Sequence, residues 1–490
     1  MLTLSWRLPR ILSSNYPNPA MCSPSPSPPS SILIVGAGVF GLSTSLSLLL
    51  SPRYTSTHIT ILDTHAPLPS PTPSESHNPH AASIDNSRII RADYSIPFYT
   101  ALAQKAQQIW RDEYAKQGIY HECGFAIVGE EGKSGWEYIE RSRSNVGSKL
   151  RGHNDEKIKG LGSPEDIKAA LKTGGTSGSA GYINYGSGWA DAAAAMADVR
   201  RRVDEEAGKQ GRRIWRQGEA VELVYAKARY SGHTTGTECK LYKITGVRLE
   251  SEETLQADLV ILAAGAWTGA LIDLRGRAEA TAQVLAYISL TPGERSQLQS
   301  MPVLLNLGTG LFAIPPSPAA DSLFKVARHG YGYRNPTLIT DPATGDVRTV
   351  SLPSSHFSPI PSEGSSVLRE FLKNLVPWLV DRPFTHTRMC WYTDTPSGDF
   401  IVDFHPEVEG LFLATGGSGH AFKFLPVMGE KVIEALEGRL DSELRSLWAW
   451  PEAVRGFGGT EDGSRGGRKG MVLREEWERG KESNERNSKL

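Results

Sequence analysis

Residues 390–424 read CWYTDTPSGDFIVDFHPEVEGLFLATGGSGHAFKF. They set a cysteine (Cys390), an acidic-aromatic loop, a Gly-rich strand-to-helix turn (Gly416, Gly417, Gly419) and a lysine (Lys423) in fixed order. A thiolate is the strongest side-chain nucleophile near neutrality. A lysine between Phe422 and Phe424 carries a charge that is costly among aromatics unless it faces a polar pocket. Far upstream, SILIVGAGVFGL places Gly36, Gly38 and Gly41 at GxGxxG spacing. The first glycine permits a tight turn, the second lets backbone approach a pyrophosphate, and the third lets helix pack on strand. The helix N-terminus adds amides and a partial positive charge. Asp63 ends the next strand, where a carboxylate binds a ribose diol and disfavours a 2′-phosphate. A dinucleotide-binding start and a Gly-rich finish on one chain indicate an enzyme.

The choice between NAD and FAD rests on the later segments. LVILAAGAWTG (259–269) puts Ala264, Gly265 and Trp267 where a second stretch of backbone can approach the nucleotide, and LFLATGGSGHAF (411–422) repeats the device. Flavoproteins clasp an extended dinucleotide from several points along the chain, whereas NAD domains are more self-contained. By this fold-level analogy the cofactor is FAD.

Composition bounds the remaining classes. At 490 residues the chain is long enough for two cores, so two domains are expected. A net charge of −1 offers no one-signed field for nucleic acid. Cys22, Cys123, Cys239 and Cys390 are scattered with no metal-ligand spacing, so neither a disulfide framework nor a metal site is expected. Residues 31–50 are about as long as a membrane span, but their glycines and serines suit a strand, turn and helix better than lipid.

The elements that position these residues form an α/β chain. A Rossmann-like FAD-binding domain is expected from residues 31–91, 190–272 and 386–455. A largely antiparallel α+β substrate domain is expected from 92–189 and 273–385. SILIV and HITILD read as strands, 97–117 and 190–208 as helices, and 66–80 as a low-complexity surface loop. Residues 1–30 read as a disordered or processed N-terminus, either a transit peptide or sequence ahead of a start at Met21. Residues 456–490 read as a flexible tail presenting Ser488-Lys489-Leu490, a peroxisomal address read by an import receptor.

GAGVFG with Asp63, SRIIRADY (87–94), KVARH (325–329) and the 390–424 stretch together resemble the flavin-dependent amine oxidases of the monomeric sarcosine oxidase type. The resemblance is to their fungal members in particular, including fructosyl amino acid, saccharopine and pipecolate oxidases. It covers about residues 31–455 and implies a D-amino acid oxidase-like fold. It implies that Cys390 carries the flavin through its sulfur; alone, this residue reads as a buried structural cysteine. It makes Lys325 the lysine that activates O₂, where the plain reading is a snorkelling lysine. His329 corresponds to an active-site histidine, or else is a satisfied core residue. Arg91 and Lys423 become a clamp for a substrate carboxylate. Arg88 lies near the flavin, or bridges cofactor and protein. Implied cofactor contacts run through Gly36, Gly38, Val39, Phe40, Gly41, Asp63, Ser87, Arg88, Val221, Ala264, Gly265 and Trp267. They continue through Cys390, Gly416, Gly417, Gly419, His420, Phe422 and Lys423.

The activity implied is oxidation of the C–N bond of a secondary amino acid to an imine, with O₂ reduced to H₂O₂. The substrate is a small amino acid such as saccharopine, pipecolate, sarcosine or an N-methyl amino acid. The alternatives are a fructosyl amino acid and an N-methylated aromatic amino acid of secondary metabolism. A monomer is expected, with neither nucleic acid nor membrane as partner.

Overall fold

The computed structural model describes residues 27–65, 78, 80–147, 157–227, 242–317, 322–340, 345–354, 358–454 and 456–487. Most of the expected insert at 66–80, Cys22, Cys239 and the terminal Ser488-Lys489-Leu490 lie outside these residues.

A six-stranded sheet carries the nucleotide-binding layer. Its order is Ile401–Phe404, Leu411–Thr415, Leu259–Leu262, Ser31–Val35, His58–Asp63 and Trp215–Gln217. All neighbours are parallel except the first pair. Along Ser31–Val35, Ile32 and Ile34 pack into one apolar cluster while Leu33 and Val35 enter another. Burial on both faces explains why SILIV is a continuous apolar run with no polar alternation. One face is covered by the helices Val39–Leu50, Ala192–Lys209 and Leu425–Leu436. Helix Ala192–Lys209 starts at Asp191, whose carboxylate accepts from Ala194 N at 2.9 Å. That is the N-cap geometry expected of an aspartate ahead of an alanine run. The other face is covered by Ala220–Lys227, Tyr242–Leu249 and Thr254–Gln256.

The second layer is a ten-stranded, mainly antiparallel sheet. Its long central strand Glu279–Ser289 pairs with both Leu323–Arg328 and His386–Asp394. The last pairing corrects one expectation. His386–Asp394 was placed with the nucleotide-binding pieces, yet it registers fully along Glu279–Ser289, Gln283 opposite Cys390. Among the described residues no helix is long and apolar enough to cross a membrane, and no His/Cys/Asp/Glu group is arranged to hold a metal ion.

The tail differs more. Residues 456–487 were expected to be flexible, but they include the strand Met471–Val472, on the edge of the large sheet, and the helix Leu473–Asn487. Thr460 Oγ1 donates to Thr395 O at 2.8 Å, and Arg465 is 2% exposed. Polar composition misled here because the segment is anchored by backbone and ion-pair contacts, with few apolar side chains.

Candidate active site

The first turn is built as its glycines require. Gly36 has φ +104°, and a Cβ there would come within 2.5 Å of Ala263 O. A Cβ on Gly41 would stand 1.8 Å from Gly36 O, so the helix can sit on the strand only without one. Gly38 has nothing within 4 Å of a notional Cβ, because it opens onto a cleft. Gly36, Gly38, Val39, Phe40 and Asp63 line one side of this cleft, with Ala264, Gly265 and Trp267 beside them. Gly417, Gly419 and Phe422 close the other side. The cleft extends past Asp63 and Trp267 to Gly218, Glu219 and Ala220; Val221, expected there, lies one residue beyond this lining. Gly416 (φ +70°) sits just outside it as well, shaping the turn that presents Gly417. Asp63 accepts from Ala37 N at 2.7 Å and from His65 N at 2.9 Å.

A second cavity adjoins the cleft and shares Arg88, Tyr392, Gly419 and Phe422 with it. It gathers Ser87, Arg91, Lys325, His329, His420 and Lys423 from three separate stretches of chain. Leu305, Phe312 and Ile314 supply an apolar wall. Cys390 lies behind the lining at 1% exposure, its Sγ receiving Arg88 Nη2 at 3.2 Å, while its neighbours Trp391 and Tyr392 face the cleft.

Two cations in this cavity lack a carboxylate partner among the described residues. Arg91 donates through Nη2 to Tyr138 OH at 3.3 Å, and its Nη1 is buried without a partner among the described residues. Lys423 Nζ donates to Tyr94 OH and to His420 O, both at 3.0 Å. Burial, and then Arg91, push the Lys423 ammonium well below its ordinary pKa. The nearby carboxylate of Asp93 is already taken up by Tyr182, Asn184 and Ser187. Such a pair is made for an incoming anion.

Lys325 is held differently. Its Nζ donates to Asp85 Oδ2 at 2.6 Å and to Ser87 O at 2.7 Å, fully buried. Arg88 Nη1 meets the same carboxylate oxygen at 2.7 Å, and Tyr287 OH donates to the other. Burial lowers the Lys325 pKa to about 8, with Asp85 opposing and Arg88 assisting. Burial would raise the Asp85 pKa, but Lys325, Arg88 and Arg388 hold it below the usual carboxylate range.

Both histidines are held through their ring nitrogens. His420 Nε2 lies 2.8 Å from Gly398 O, which can only accept, so Nδ1 accepts from Tyr94 OH at 2.8 Å. His329 Nδ1 lies 3.0 Å from Arg465 Nη1. Burial, then Arg465, Arg91 and Lys423, drive the His329 pKa well below its ordinary value. Asp85, Tyr94 and Arg465 were not anticipated from sequence. Asp85 stands three residues before Arg88, just ahead of the SRIIRADY stretch. Arg465 is one of several arginines in a Gly-rich segment and carries no signal of its own.

A family model described as FAD dependent oxidoreductase matches residues 31–435. The chain belongs to this family. Among its relatives, amino acid oxidase imqH of Aspergillus flavus is 32% identical, covering 86% of this chain and 98% of its own. L-saccharopine oxidase of Schizosaccharomyces pombe is 30% identical over 86% and 93%. Among solved structures, that of a thermally stable mutant of fructosyl peptide oxidase superimposes with TM-score 0.73 at 25% identity. It covers 91% of this chain and 98% of that one.

The protein is therefore an FAD-dependent oxidoreductase, and its cleft fits that cofactor. The open side of Gly38 faces the N-terminus of a helix whose first turn carries no acid, which suits a pyrophosphate. Trp391 Nε1, buried in the cleft wall without a partner among the described residues, is a donor available to a polar edge. The same family fold, a nucleotide-binding α/β layer on an antiparallel sheet, is the one expected from sequence.

Proposed function

We propose that this oxidoreductase oxidises the C–N bond of a secondary amino acid with an apolar side chain to an imine, with O₂ as acceptor. The observation that carries the reading is the pairing of Arg91 and Lys423, two buried cations without a carboxylate, beside an apolar wall. FAD, when bound, accepts the hydride equivalent from substrate and delivers electrons to O₂, giving H₂O₂. Arg91 and Lys423 hold the substrate carboxylate, which places the adjacent C–N bond toward the cleft that the cavity adjoins. The apolar wall of Leu305, Phe312 and Ile314 takes the side chain and displaces water. Lys325, kept protonated by Asp85 at neutral pH, supplies a fixed positive charge where O₂ is reduced. Cys390 tethers the flavin through its sulfur, which already accepts a hydrogen bond from Arg88 Nη2.

The names of the relatives bracket the substrate as an amino acid, L-saccharopine or a fructosyl peptide. The apolar wall favours a compact or aromatic side chain, such as an N-methyl amino acid or pipecolate, over the extra carboxylates of saccharopine. A fructosyl amino acid remains the second reading, favoured by the fit to the fructosyl peptide oxidase structure. The terminal Ser488-Lys489-Leu490 supports a peroxisomal address, consistent with peroxide release beside catalase. The test is H₂O₂ release across sarcosine, L-pipecolate, saccharopine, N-methyl aromatic amino acids and fructosyl amino acids. Turnover of N-methyl or cyclic apolar substrates is expected. Turnover of fructosyl amino acids alone would replace the reading with the second.

A further inference from the structure

Arg465 belongs to the segment that crosses the loop after His386–Asp394, and it reaches His329 from behind the cavity lining. Its neighbour Gly466 is pressed against backbone, since a Cβ there would come within 2.3 Å of Gly310 N. The guanidinium is 1% exposed. Its Nη2 donates to Asp394 Oδ1 at 2.5 Å and to Ser418 O at 2.9 Å. Its carbon lies 5.4 Å from the Tyr392 ring centroid. The contacts to Asp394 and Ser418 suffice to fasten the segment. The fourth, from Nη1 to His329 Nδ1 at 3.0 Å, serves the cavity.

A guanidinium only donates, so Nδ1 of His329 must accept. A neutral imidazole then carries its one proton on Nε2. The ring is kept neutral first by its burial and then by the cationic groups around it: Arg465 from the C-terminal segment, Arg91 from the SRIIRADY stretch, and Lys423 and His420 from the Gly-rich turn. Tyr392, 5.8 Å away between ring centroids, completes the set. None of these residues is a carboxylate that would favour a second proton.

We propose that Arg465 is the positioning residue of His329, fixing a neutral ring with its proton on Nε2. His329 is thereby a hydrogen-bond donor to the bound amino acid and not the base that receives the amine proton. The second part rests on the reading of the cavity as an amino-acid site; the tautomer does not.

The test is long-range proton–nitrogen correlation NMR of holoenzyme labelled with ¹⁵N-histidine, the His329 signals assigned by loss in His329→Gln. An unprotonated Nδ1 and a protonated Nε2 are expected, unchanged across roughly pH 6–9, a range spanning the ordinary histidine transition. In Arg465→Met the ring should sample both tautomers and titrate. A new ionisation should then appear in the kcat/KM profile, with KM for the amino acid raised about tenfold, the worth of one hydrogen bond. The new ionisation should vanish in Arg465→Met/His329→Gln. A wild-type ring protonated on Nδ1, or titrating near its ordinary value, overturns the proposal, and so does an Arg465→Met spectrum identical to wild type. If Arg465→Met does not fold, the wild-type spectrum decides the tautomer. Arg465→Lys then reports whether a single donor suffices. Failure to turn over any amino acid would remove the donor role while leaving the tautomer standing.

Discussion

Individual side chains in the cavity divide by whether a counter-charge is already present. Lys325 has one in Asp85, whereas Arg91 and Lys423 do not. Lys325→Met should leave anaerobic flavin reduction by substrate largely intact while slowing reoxidation by O₂ about 100-fold, as loss of a preorganised charge does. Because burial lowers its pKa to about 8, Lys325 is charged below that pH and neutral above it. The wild-type reoxidation rate should therefore fall as pH rises through about 8, and that dependence should be missing in Lys325→Met. A flat wild-type profile would remove the role. Arg91→Ala or Lys423→Ala should weaken amino-acid binding by about 2–5 kcal/mol with flavin content normal, since each removes one of the two cations that pair with the buried substrate carboxylate. Cys390→Ala should give an acid-precipitated pellet without yellow colour, whereas wild type stays yellow. That Lys325 and Arg91 would share one cavity was legible through the resemblance, because the motifs that carry it are short and local in sequence. Asp85 could have been read from its place before Arg88. The Tyr94–His420–Lys423 chain could not, because Tyr94 lies more than 300 residues from the other two and meets them only in the folded chain.

The supporting elements were legible where hydrophobic period and turn chemistry agree. SILIV, the Gly36 turn and the Asp191-capped helix follow from local residue types alone. The pairing of His386–Asp394 with Glu279–Ser289 does not, because strand partners are chosen by distant segments and alternating sequence does not name them. The first turn offers a sharp test at this scale. Gly41→Ala places a methyl 1.8 Å from Gly36 O, so helix and strand must separate. The expected outcome is loss of flavin together with a lowered Tm. Gly38→Ala meets no protein atom within 4 Å and should retain the fold while weakening flavin binding. Equal flavin occupancy in Gly38→Ala and wild type would show that the cofactor does not approach that backbone.

At the scale of the molecule, the two sheets meet at the cavity and the C-terminal segment backs it through Arg465 and His329, so a segment whose composition suggested a loose tail braces the wall from behind. Chain ending at residue 455 would leave Asp394 buried without Arg465, a loss of about 3–5 kcal/mol for a broken buried pair. A substantially lower Tm is expected, and an unchanged Tm would show that the segment is not part of the folded unit. The central claim concerns the whole arrangement: a carboxylate clamp set against a flavin cleft. It is tested most directly by anaerobic stopped-flow bleaching of the flavin, with an N-methyl amino acid that the enzyme turns over and with its decarboxylated amine. The amino acid should bleach the flavin rapidly in wild type and only at much higher concentration in Arg91→Ala, while the amine is slow in both. Equal bleaching of wild type by amine and amino acid would contradict the clamp and move the substrate class from amino acids to plain amines.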